Sequence, residues 1–554
     1  MFDAASLAVA LEKTEQGAAW TVMALDYELA YLLEPAVAPH GGSPAVPDGK
    51  AARPLARFWR FAECEPLDAA AAEAFLAPFS DEPAGVAEVR AAWDETRYRA
   101  AAEEIQRLIA AGDCYQVNLT YPLDFSWFGS PHALYARLRA RQPVRYGGFV
   151  GKAESGLVSL SPELFFSRQG NTLVTRPMKG TAPLEEAPEI LAQSAKNRAE
   201  NLMIVDLLRN DLGRVATTGS VRVDELFALE TYPTVRQMVS QVSAEVPGRN
   251  FAALLKALFP CGSITGAPKI RAMQIINALE DQPRGVYTGA LGWLSPDGDC
   301  RLNVAIRTLE LEAGQRGKMG VGSGIVSDSE AAAEWAECAL KAAFLRADPG
   351  LRLIETLRRE NGVYPMWAGH LARLRRSAAA LGFPLNEATA VQALAVQPMR
   401  GLWRVRLTLN HAGKVEVASG ALDAAPPAEK LARLASETII ADDVLRRHKT
   451  TARTAYDAAL AALPADGSVF DAVFLNERGE VAEGARSTVF VERGGVFLTP
   501  PLTSGALPGV LRAHLLASGK AREAVLWPTD LAEGFWLGNA LRGLQRVRLE
   551  GLVQ

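Results

Sequence analysis

The spacing of apolar and polar residues predicts a chain of mixed helices and strands, without internal repeats. Apolar residues at helical spacing from 90 to 110, followed by Gly112, predict a helix that ends at this glycine. The run from 328 to 346 is rich in Ala, Glu and Leu and contains no Pro or Gly, which predicts a second helix. Residues 34–54 are rich in Pro and Gly, and we expect a long loop there.

Two β-prone runs flank the dipeptide Gly170-Asn171 and predict a β-hairpin. Glu163 and Lys179 lie at equal distances from its centre, so antiparallel pairing would bring a carboxylate and an amine to the same end of the ribbon. An exposed ion pair is the commoner outcome of such pairing. The alternative is a lysine nucleophile beside a general acid.

Carboxylates recur at helical spacing later in the first half. The segment 196–211 predicts a helix with Leu202, Val205 and Leu208 on one stripe. Glu334 and Glu337 are three residues apart in the helix predicted over 328–346, where like charges repel unless something neutralises them. A hard dication such as Mg²⁺ would do so, and a solvated helix face is the plain alternative.

Composition narrows the class of protein. The chain has 554 residues and a formal net charge of −4, which argues against nucleic-acid and anionic-membrane partners. It has no long apolar run, so we expect no membrane span. The five cysteines are scattered without a Cys-x-x-Cys pair, which favours a reducing cytoplasm without disulfides or a zinc site.

A chain of this length should contain two or more domains. The segment Ala347-Asp348-Pro349-Gly350 is the clearest boundary. It predicts a first domain over 1–347, a linker over 348–352 and a second domain over 353–554.

Five strings in the first half carry a family resemblance. RPMKGT (176–181), KNRAENLMIVDLLRND (196–211), PCGSITGAPKIRAM (260–273), AIRTLE (305–310) and GSGIVSDS (322–329) together resemble the chorismate-utilising enzymes. The resemblance extends from about 90 to 345. It implies an α+β fold, with a large domain of sandwiched antiparallel sheets and surrounding helices.

The same resemblance implies a set of site residues. Glu200 and Glu337 would hold Mg²⁺, with Glu334 acting through water. The carboxylate of chorismate would be bound by the side chains and backbone amides of Arg307, Tyr287, Gly322, Ser323 and Gly324, and Thr265 would belong to the pocket wall.

Lys179 points to one branch of the family. Anthranilate synthases typically carry alanine there, whereas aminodeoxychorismate synthases carry lysine. The resemblance implies that Lys179 adds to C2 of chorismate, that Glu163 protonates the departing C4 hydroxyl, and that ammonia then attacks C4. Gln237 stands where relatives often have histidine and is assigned no acid or base role. Cys261 stands where the family usually has a small residue, and we interpret it as incidental. No glutaminase nucleophile motif is found, so a separate class I glutaminase subunit is implied as the source of ammonia.

Strings in the second half resemble the fold-type IV enzymes that use pyridoxal 5′-phosphate, from about 353 to 545. They include GHLARLRRS (369–377), RHKTTAR (447–453), VAEGARSTVF (481–490) and TSGALPGVLR (503–512). The resemblance implies a smaller two-lobed α+β domain. In it, Lys449 carries the cofactor, Glu483 pairs with the pyridine nitrogen, and Arg373 holds the phosphate with the backbone amides of Val510 and Leu511. Asn539, in a lyase-like segment, would contact phosphate or substrate.

Family members begin with a lead-in that this half lacks, so part of the domain is either trimmed or supplied by the first half. Together the two resemblances imply conversion of chorismate to aminodeoxychorismate and then to 4-aminobenzoate and pyruvate. Two alternatives stay open: an anthranilate- or isochorismate-type synthase with an attached aminotransferase, and a non-catalytic second half that docks the glutaminase. Whether the chain forms a homodimer through the second half is also open.

Overall fold

A computed structural model describes residues 4–15, 19–37, 54–231, 235–422 and 430–550. Most of the predicted loop over 34–54 lies outside these ranges. The chain forms two compact units. The first comprises residues 1–80, 89–125 and 130–347, and the second comprises 81–88, 126–129 and 348–554.

The elements up to residue 347 form an α+β arrangement. The strands are β1 Trp20–Leu25, β2 Ala56–Phe61, β3 Gly85–Ala91, β4 Gln116–Phe128, β5 Gly148–Lys152, β6 Ser155–Ser159, β7 Leu164–Gln169, β8 Thr172–Arg176, β9 Met178–Pro183, β10 Arg222–Thr231, β11 Val235–Glu245, β12 Gly266–Ala267, β13 Ala290–Leu294, β14 Cys300–Val304, β15 Thr308–Glu312 and β16 Arg316–Ile325. The α-helices are α1 Ala4–Glu15, α2 Ala30–Leu33, α3 Ala69–Ser80, α4 Glu95–Ala110, α5 Pro131–Arg141, α6 Pro188–Gln193, α7 Ala195–Gly213, α8 Phe251–Leu258, α9 Lys269–Leu279 and α10 Ala331–Lys341.

These strands form two sheets. One has the order β10-β11-β8-β7-β14-β13-β1-β2, with β9 also paired to β11, and the other has the order β12-β4-β16-β15-β6-β5, with β3 also paired to β4. A small apolar core joins Ala24 and Leu291 of the first sheet to Val150 and Leu157 of the second. A larger core packs the first sheet against α1, α7 and α8. The predicted α+β class with sandwiched sheets is confirmed.

The predicted hairpin is present as β7 and β8, with Gln169 paired to Thr172 across the turn. An irregularity between Leu164 and Ser167 shifts the register. Glu163 therefore lies just before β7, and Lys179 lies on the next strand, β9, rather than directly opposite. The two groups are nevertheless close enough for the positive charge of Lys179 to lower the pKa of the Glu163 carboxyl.

Two of the three helix predictions, those over 196–211 and 328–346, need adjustment. Helix α7 is present, but Leu202 is 45% exposed and is not part of its buried stripe. Ile204 fills that role together with Val205 and Leu208. The last helix of this half, α10, is shorter than predicted and is followed by a 3₁₀ turn over Ala343–Leu345.

The second unit contains a three-stranded sheet, β17-β18-β19, and an eight-stranded mixed sheet, β22-β21-β20-β27-β26-β23-β24-β25. Its strands are β17 Leu353–Glu360, β18 Leu402–Leu409, β19 Val415–Ala421, β20 Lys430–Leu434, β21 Val469–Leu475, β22 Val481–Gly484, β23 Thr488–Arg493, β24 Val496–Thr499, β25 Ala521–Glu523, β26 Phe535–Asn539 and β27 Gly543–Leu549. Its helices are α11 Trp367–Leu381, α12 Glu387–Ala395, α13 Thr454–Ala461 and α14 Val510–Ala517.

Two short segments from early in the chain belong to the core of the second unit. Ala87 and Phe128 are buried in one apolar cluster with Leu353, Leu374 and Leu407. This arrangement agrees with the alternative in which the first half supplies part of the second domain. In the parts of the chain that the structure describes, no helix is long and apolar enough to cross a membrane.

Close backbone packing in the first unit predicts a stability effect. A Cβ at Gly289 would lie 1.9 Å from the carbonyl oxygen of Leu25, and neither backbone can move without disturbing the pairing of β1 with β13. We expect Gly289→Ala to lower the free energy of unfolding by roughly 2–4 kcal/mol. Gly148→Ala on β5, where a Cβ meets nothing within 4 Å, is the control. Urea unfolding checks both, and equal midpoints would contradict the packing argument.

Candidate active sites

Glu163 is a buried carboxyl of the first unit. Its backbone is fixed by the Ser161 hydroxyl, which donates to the carbonyl oxygen of Val304 at 2.6 Å, and by the amide of Val304, which donates to the carbonyl oxygen of Glu163 at 3.1 Å. The side chain is only 4% exposed. Burial raises the pKa of Glu163 to about 7, against the lowering effects of a hydrogen bond with Ser263 and the charge of Lys179. Its Oε1 atom has no hydrogen-bond partner among the described residues.

Lys179 lies on β9, and its side chain is close enough to Glu163 to act on its carboxyl. Its Nζ atom lies 3.7 Å from Oε2 of Glu200 on α7. It also lies 3.2 Å from the point that a Cβ on Gly324 would occupy. A side chain on Gly324 would therefore crowd the amine. The glycine leaves room for both the lysine and a ligand beside it.

Gln116 on β4 is a site residue that our sequence analysis missed. Its side chain is fully buried, and neither amide atom has a hydrogen-bond partner within the described ranges. Its Nε2 atom lies 2.6 Å from the position of a Cβ on Gly324, so it borders the same space as Lys179. A buried amide without partners costs free energy and indicates a ligand contact. Gln116 is the first residue of β4, and nothing in the spacing of apolar residues distinguishes it in the sequence.

The three glutamates expected to hold Mg²⁺ each have a partner within the protein. Glu200 pairs with Lys179, Glu337 pairs with Lys341 at 2.7 Å, and Glu334 accepts a hydrogen bond from Ser329 at 2.8 Å. Although burial alone would raise the pKa of Glu337, the charges of Lys341, Lys179 and Lys196 hold it below its usual range.

No cluster of three or more His, Cys, Asp or Glu close enough to hold a metal ion is found among the described residues. The donor chemistry nevertheless fits a hard dication. Two of the carboxylates, Glu200 and Glu337, each face an ammonium group that a dication would replace.

Tyr287 and Arg307, the residues expected to hold the carboxylate of chorismate, lie beside β16 and immediately before β15. Tyr287 is buried, and its ring occupies the space beside Gly320, where a Cβ would lie 2.0 Å from a ring carbon. Arg307 has a φ of 49°, unusual for a residue with a side chain, and leads directly into β15. Backbone strain of this kind is often concentrated at functional sites.

Two residues expected to border the chorismate pocket direct their hydroxyl groups toward other protein atoms instead. The Ser323 hydroxyl shares a 2.7 Å hydrogen bond with Tyr98, and the Thr265 hydroxyl donates to the carbonyl oxygen of Gly262 at 3.1 Å. The carbonyl oxygen of Gly322 accepts from Lys341 at 2.9 Å. Only the backbone of 322–324 is therefore suited to meet a ligand, and Ser263, rather than Thr265, contacts Glu163.

A cavity of about 420 Å³ forms the candidate site of the second unit. Of the predicted residues, it is lined by Arg373, Lys449, Glu483, Val510, Leu511 and Asn539. Its lining carries eight lysine or arginine side chains and three carboxylates: Arg373, Arg404, Arg406, Arg446, Lys449, Arg453, Arg486 and Arg542 against Asp443, Asp457 and Glu483. Such an excess of positive charge suits a ligand with several anionic groups.

Lys449 is the lysine in the lining of this cavity. Its carbonyl oxygen accepts a hydrogen bond from the amide of Ile354 at 2.9 Å, which ties the segment to β17. Burial lowers the pKa of Lys449 to about 8, and the positive charges of Arg373 and Arg453 contribute. A larger fraction of this amine is therefore neutral near physiological pH than for an ordinary lysine.

Glu483 lies within electrostatic range of Lys449 and is held by two donors. The amide of Leu507 donates to its Oε2 atom at 3.0 Å, and the hydroxyl of Tyr456 donates to Oε1. Burial raises its pKa, although Tyr456, Leu507, Arg446 and Lys449 counteract this effect. Each carboxylate oxygen retains a free lone pair for a further donor. Our sequence analysis missed Tyr456 because nothing in the pattern of α13 distinguishes it.

Arg373 is already paired within the protein. Its Nε and Nη2 atoms donate to the two oxygens of the buried Glu355 at 2.9 and 2.6 Å, and His370 contacts the same carboxylate at 2.6 Å. Its charge is therefore largely balanced before any phosphate binds. The first turn of α14, which contains Val510 and Leu511, leaves amides without helical acceptors and gives a second anion site.

Asn539 has a structural role at the cavity wall. Its side-chain oxygen accepts from the amides of Leu541 and Arg542 at 3.1 and 2.9 Å, and its side-chain nitrogen donates to the carbonyl oxygen of Arg486 at 3.0 Å. The side chain thus fixes a turn beside the cavity, with little capacity left for the predicted ligand contact.

Comparison with known protein families matches both halves of the chain. A family model described as chorismate binding enzyme matches residues 61–347, which is just over half of the chain. A second, described as amino-transferase class IV, matches residues 352–549.

Three similar proteins illustrate the match. Aminodeoxychorismate synthase component 1 of Klebsiella aerogenes is 44% identical over 256 residues, covering 45% of this chain and 56% of that protein. Aminodeoxychorismate synthase of Streptomyces griseus is 41% identical over 314 residues, covering 54% and 42%. The crystal structure of anthranilate synthase component I from Streptococcus pneumoniae has a TM-score of 0.52 at 26% identity, covering 61% and 84%. The chain spans about half the length of the curated relatives it matches.

The raised pKa of Glu163 predicts a pH-dependent stability difference. A carboxyl with a folded pKa near 7 and an unfolded value of 4.5 contributes stability below pH 4.5 that is lost as pH rises through 7. Glutamine does not titrate. We therefore expect Glu163→Gln to gain roughly 2–4 kcal/mol relative to the parent between pH 5 and pH 8. Urea unfolding at both pH values measures this, and a constant difference would contradict the assignment. Glu28, whose pKa burial also raises to about 7, is common to both proteins and cancels.

The lowered pKa of Lys449 predicts that its amine becomes reactive at a lower pH than the amine of an ordinary lysine. In cofactor-free protein, acylation of Lys449 followed by peptide mass spectrometry should reach half its maximal rate near pH 8. A lysine in a model peptide, with a pKa of about 10.4, is the reference. A midpoint for Lys449 above pH 10 would show that burial and the arginines do not act on its amine.

Proposed function

This chain belongs to the chorismate binding enzymes, and from that premise we propose that it converts chorismate to 4-aminobenzoate in two steps, one in each unit. The observation that carries the proposal is the Lys179 amine beside Gly324, whose positive charge acts on the buried carboxyl of Glu163. The similarity to aminodeoxychorismate synthases and the class IV match of the second half support the same pair of reactions.

In the first step, Lys179 is the nucleophile and Glu163 the general acid. The Nζ atom of Lys179 bonds to C2 of chorismate, both ring double bonds shift, and the C4 hydroxyl leaves as water with the proton of Glu163. Ammonia then bonds to C4 and the C2–Nζ bond breaks, which regenerates the lysine. A carboxyl with a pKa of about 7 holds a proton in a large fraction of molecules at neutral pH and can return it.

Mg²⁺ would be held in this unit by Glu200 and Glu337, with Glu334 nearby. The chemistry it supplies is charge neutralisation of the substrate carboxylate. Glu200 and Glu337 now face Lys179 and Lys341. A dication at these carboxylates would compete with both lysines and so favour release of the Lys179 amine toward substrate.

Ammonia would come from a separate class I glutaminase subunit. The chain contains no glutaminase nucleophile motif, and the relative named component 1 has a name that implies a second component. The unpartnered amide of Gln116, beside Lys179, is suited to a small polar molecule at this point.

In the second step, the amine formed in the first unit becomes the substrate of the second. Pyridoxal 5′-phosphate supplies an electron sink for the removal of a proton and of pyruvate. Lys449 would hold the cofactor and then move the C4 proton of the substrate, Glu483 would bond the ring nitrogen, and the amides of Val510 and Leu511 would bind the phosphate. The remaining arginines of the cavity suit a substrate with two carboxylates. All five cysteines are free thiols, which supports a reducing compartment such as the cytoplasm.

The alternative for the second unit is an aminotransferase or a non-catalytic domain. An aminotransferase would use the same Lys449 and Glu483, and the class IV match alone does not separate the two reactions. A non-catalytic domain would have no need for an amine whose pKa is lowered to about 8.

The test is product analysis of the purified chain with chorismate, Mg²⁺, pyridoxal 5′-phosphate and an ammonium salt. We expect 4-aminobenzoate and pyruvate. Lys179→Ala should lose chorismate consumption by at least 10³-fold, on the scale of losing a covalent nucleophile. Lys449→Ala should accumulate aminodeoxychorismate and lose the absorbance of bound cofactor. Lys414→Ala, a surface lysine 67% exposed, is the control.

The possible products and spectra distinguish the proposed function from its alternatives. Anthranilate as the product would overturn the role of Lys179. Aminodeoxychorismate alone from the parent chain would leave the second unit as a different class IV enzyme, and the absence of cofactor absorbance would make it non-catalytic. Full activity in both Glu200→Ala and Glu337→Ala would refute the Mg²⁺ assignment.

A further inference from the structure

The buried thiol of Cys261 is connected to the Glu163 carboxyl through one intervening side chain. Cys261 is 2% exposed and precedes the 3₁₀ turn that carries Ser263. Its Sγ atom is 3.2 Å from Oγ of Ser263, and Ser263 in turn hydrogen-bonds the side chain of Glu163. The three side chains thus form a chain that runs from the thiol to the carboxyl. The other oxygen of that carboxyl, Oε1, has no partner within the described ranges and is left for a ligand.

The protonation state of Glu163 determines the direction of both hydrogen bonds. An ionised carboxylate only accepts, so Ser263 must give its single proton to Glu163. The oxygen of Ser263 then accepts from the thiol of Cys261. Burial and the negative charge of Glu163 raise the pKa of the thiol to about 12, so its proton is available for this bond at neutral pH.

Protonation of Glu163 allows both bonds to reverse. The carboxyl O–H then donates to Ser263, and the Ser263 hydroxyl rotates to donate to the sulfur, which is a weak acceptor. A thiol can serve both states, whereas a methyl group can serve neither. The charged state gains more, because hydrogen bonds to an ionised group are about twice as strong as neutral ones.

We propose that Cys261 is a positioning residue that acts through Ser263 to set the proton affinity of the Glu163 carboxyl. This deepens the proposed synthase function and rests on it, since Glu163 is the general acid of that function. Our interpretation of Cys261 as incidental is replaced by this one. The thiol is not essential for the reaction; it adjusts the pH range over which Glu163 can act.

Few other charges reach this chain of bonds. Lys179 faces Glu163, and Lys269 acts on Cys261. The amine of Lys269 is itself held by the buried Asp211 at 2.5 Å. None of these groups is altered by substitution at Cys261, so a change in the titration of Glu163 can be attributed to the thiol.

A plain packing role is the competing explanation. Cys261 belongs to the large apolar core of the first unit, and a thiol is a good small core residue. Packing alone predicts that Cys261→Ala loses some stability and keeps the pH dependence. It also predicts that Cys261→Ser, which buries a hydroxyl, is no better than alanine.

The first experiment measures the pH profile of ammonia-dependent chorismate consumption. In Cys261→Ala we expect the high-pH limb to move to higher pH, because the Ser263 hydroxyl that donates to the charged form of Glu163 loses the thiol that donates to it, with maximal rate within about threefold of the parent. Cys261→Ser should restore the limb to the parent position or move it lower. Cys300→Ala is the matched control, since Cys300 is 1% exposed and lies on β14 away from Glu163.

The second experiment does not depend on activity. Infrared difference spectra across pH, with Glu163→Gln used to assign the protonated carboxyl band, give the titration midpoint of Glu163 directly. A higher midpoint in Cys261→Ala and recovery in Cys261→Ser support the proposal. An unchanged midpoint in Cys261→Ala overturns it, even if the chain fails to convert chorismate. Failure to convert chorismate with a shifted midpoint counts against the proposed function alone.

Discussion

A carboxylate removed from water must be paired, hydrogen-bonded or protonated, because an isolated buried charge costs several kcal/mol. The first site depends on an incomplete solution to this constraint. Glu163 receives one bond from Ser263 and the field of Lys179, while its Oε1 atom has no partner among the described residues. The compensation is too small to offset burial, so the pKa is about 7. A fully satisfied carboxylate at this position would stay ionised and could not act as an acid.

In the second unit, the partners of a buried carboxylate, Glu355, compensate fully for burial. Glu355 differs in this respect from Glu163, whose compensation is incomplete. Although burial alone would raise the pKa of Glu355, Arg373 and His370 outweigh burial and hold the pKa at about 2. Glu355 therefore stays ionised at any physiological pH and fixes the orientation of Arg373. Glu355 offsets only part of the positive charge around Lys449. Burial, together with the charges of Arg373 and Arg453, lowers the pKa of Lys449 to about 8.

The sequence predicted which residues lie near one another better than it predicted what their side chains touch. The hairpin and the proximity of Glu163 to Lys179 follow from spacing, and they were predicted despite the register shift near Leu164. The inward-facing hydroxyl of Ser323 was not predictable, because its partner Tyr98 is distant in sequence. The same holds for Asn539, whose amide is used by a local turn. A motif specifies residue types, whereas tertiary packing decides which hydrogen bond each side chain makes.

Strand β16 shows how backbone shape, rather than side chains, makes room for the first site. Glycine occupies every second position at 320, 322 and 324, which leaves this stretch of one face of the strand without side chains. A Cβ at these positions would collide with Tyr287, with the carbonyl oxygen of Leu119 and with the amide of Gln116, respectively. Glycine weakens a strand, but the opposite face is fully used, since Met319, Val321 and Ile325 are buried. The core of the first unit therefore offsets the cost of a bare surface that Lys179, Gln116 and Tyr287 border.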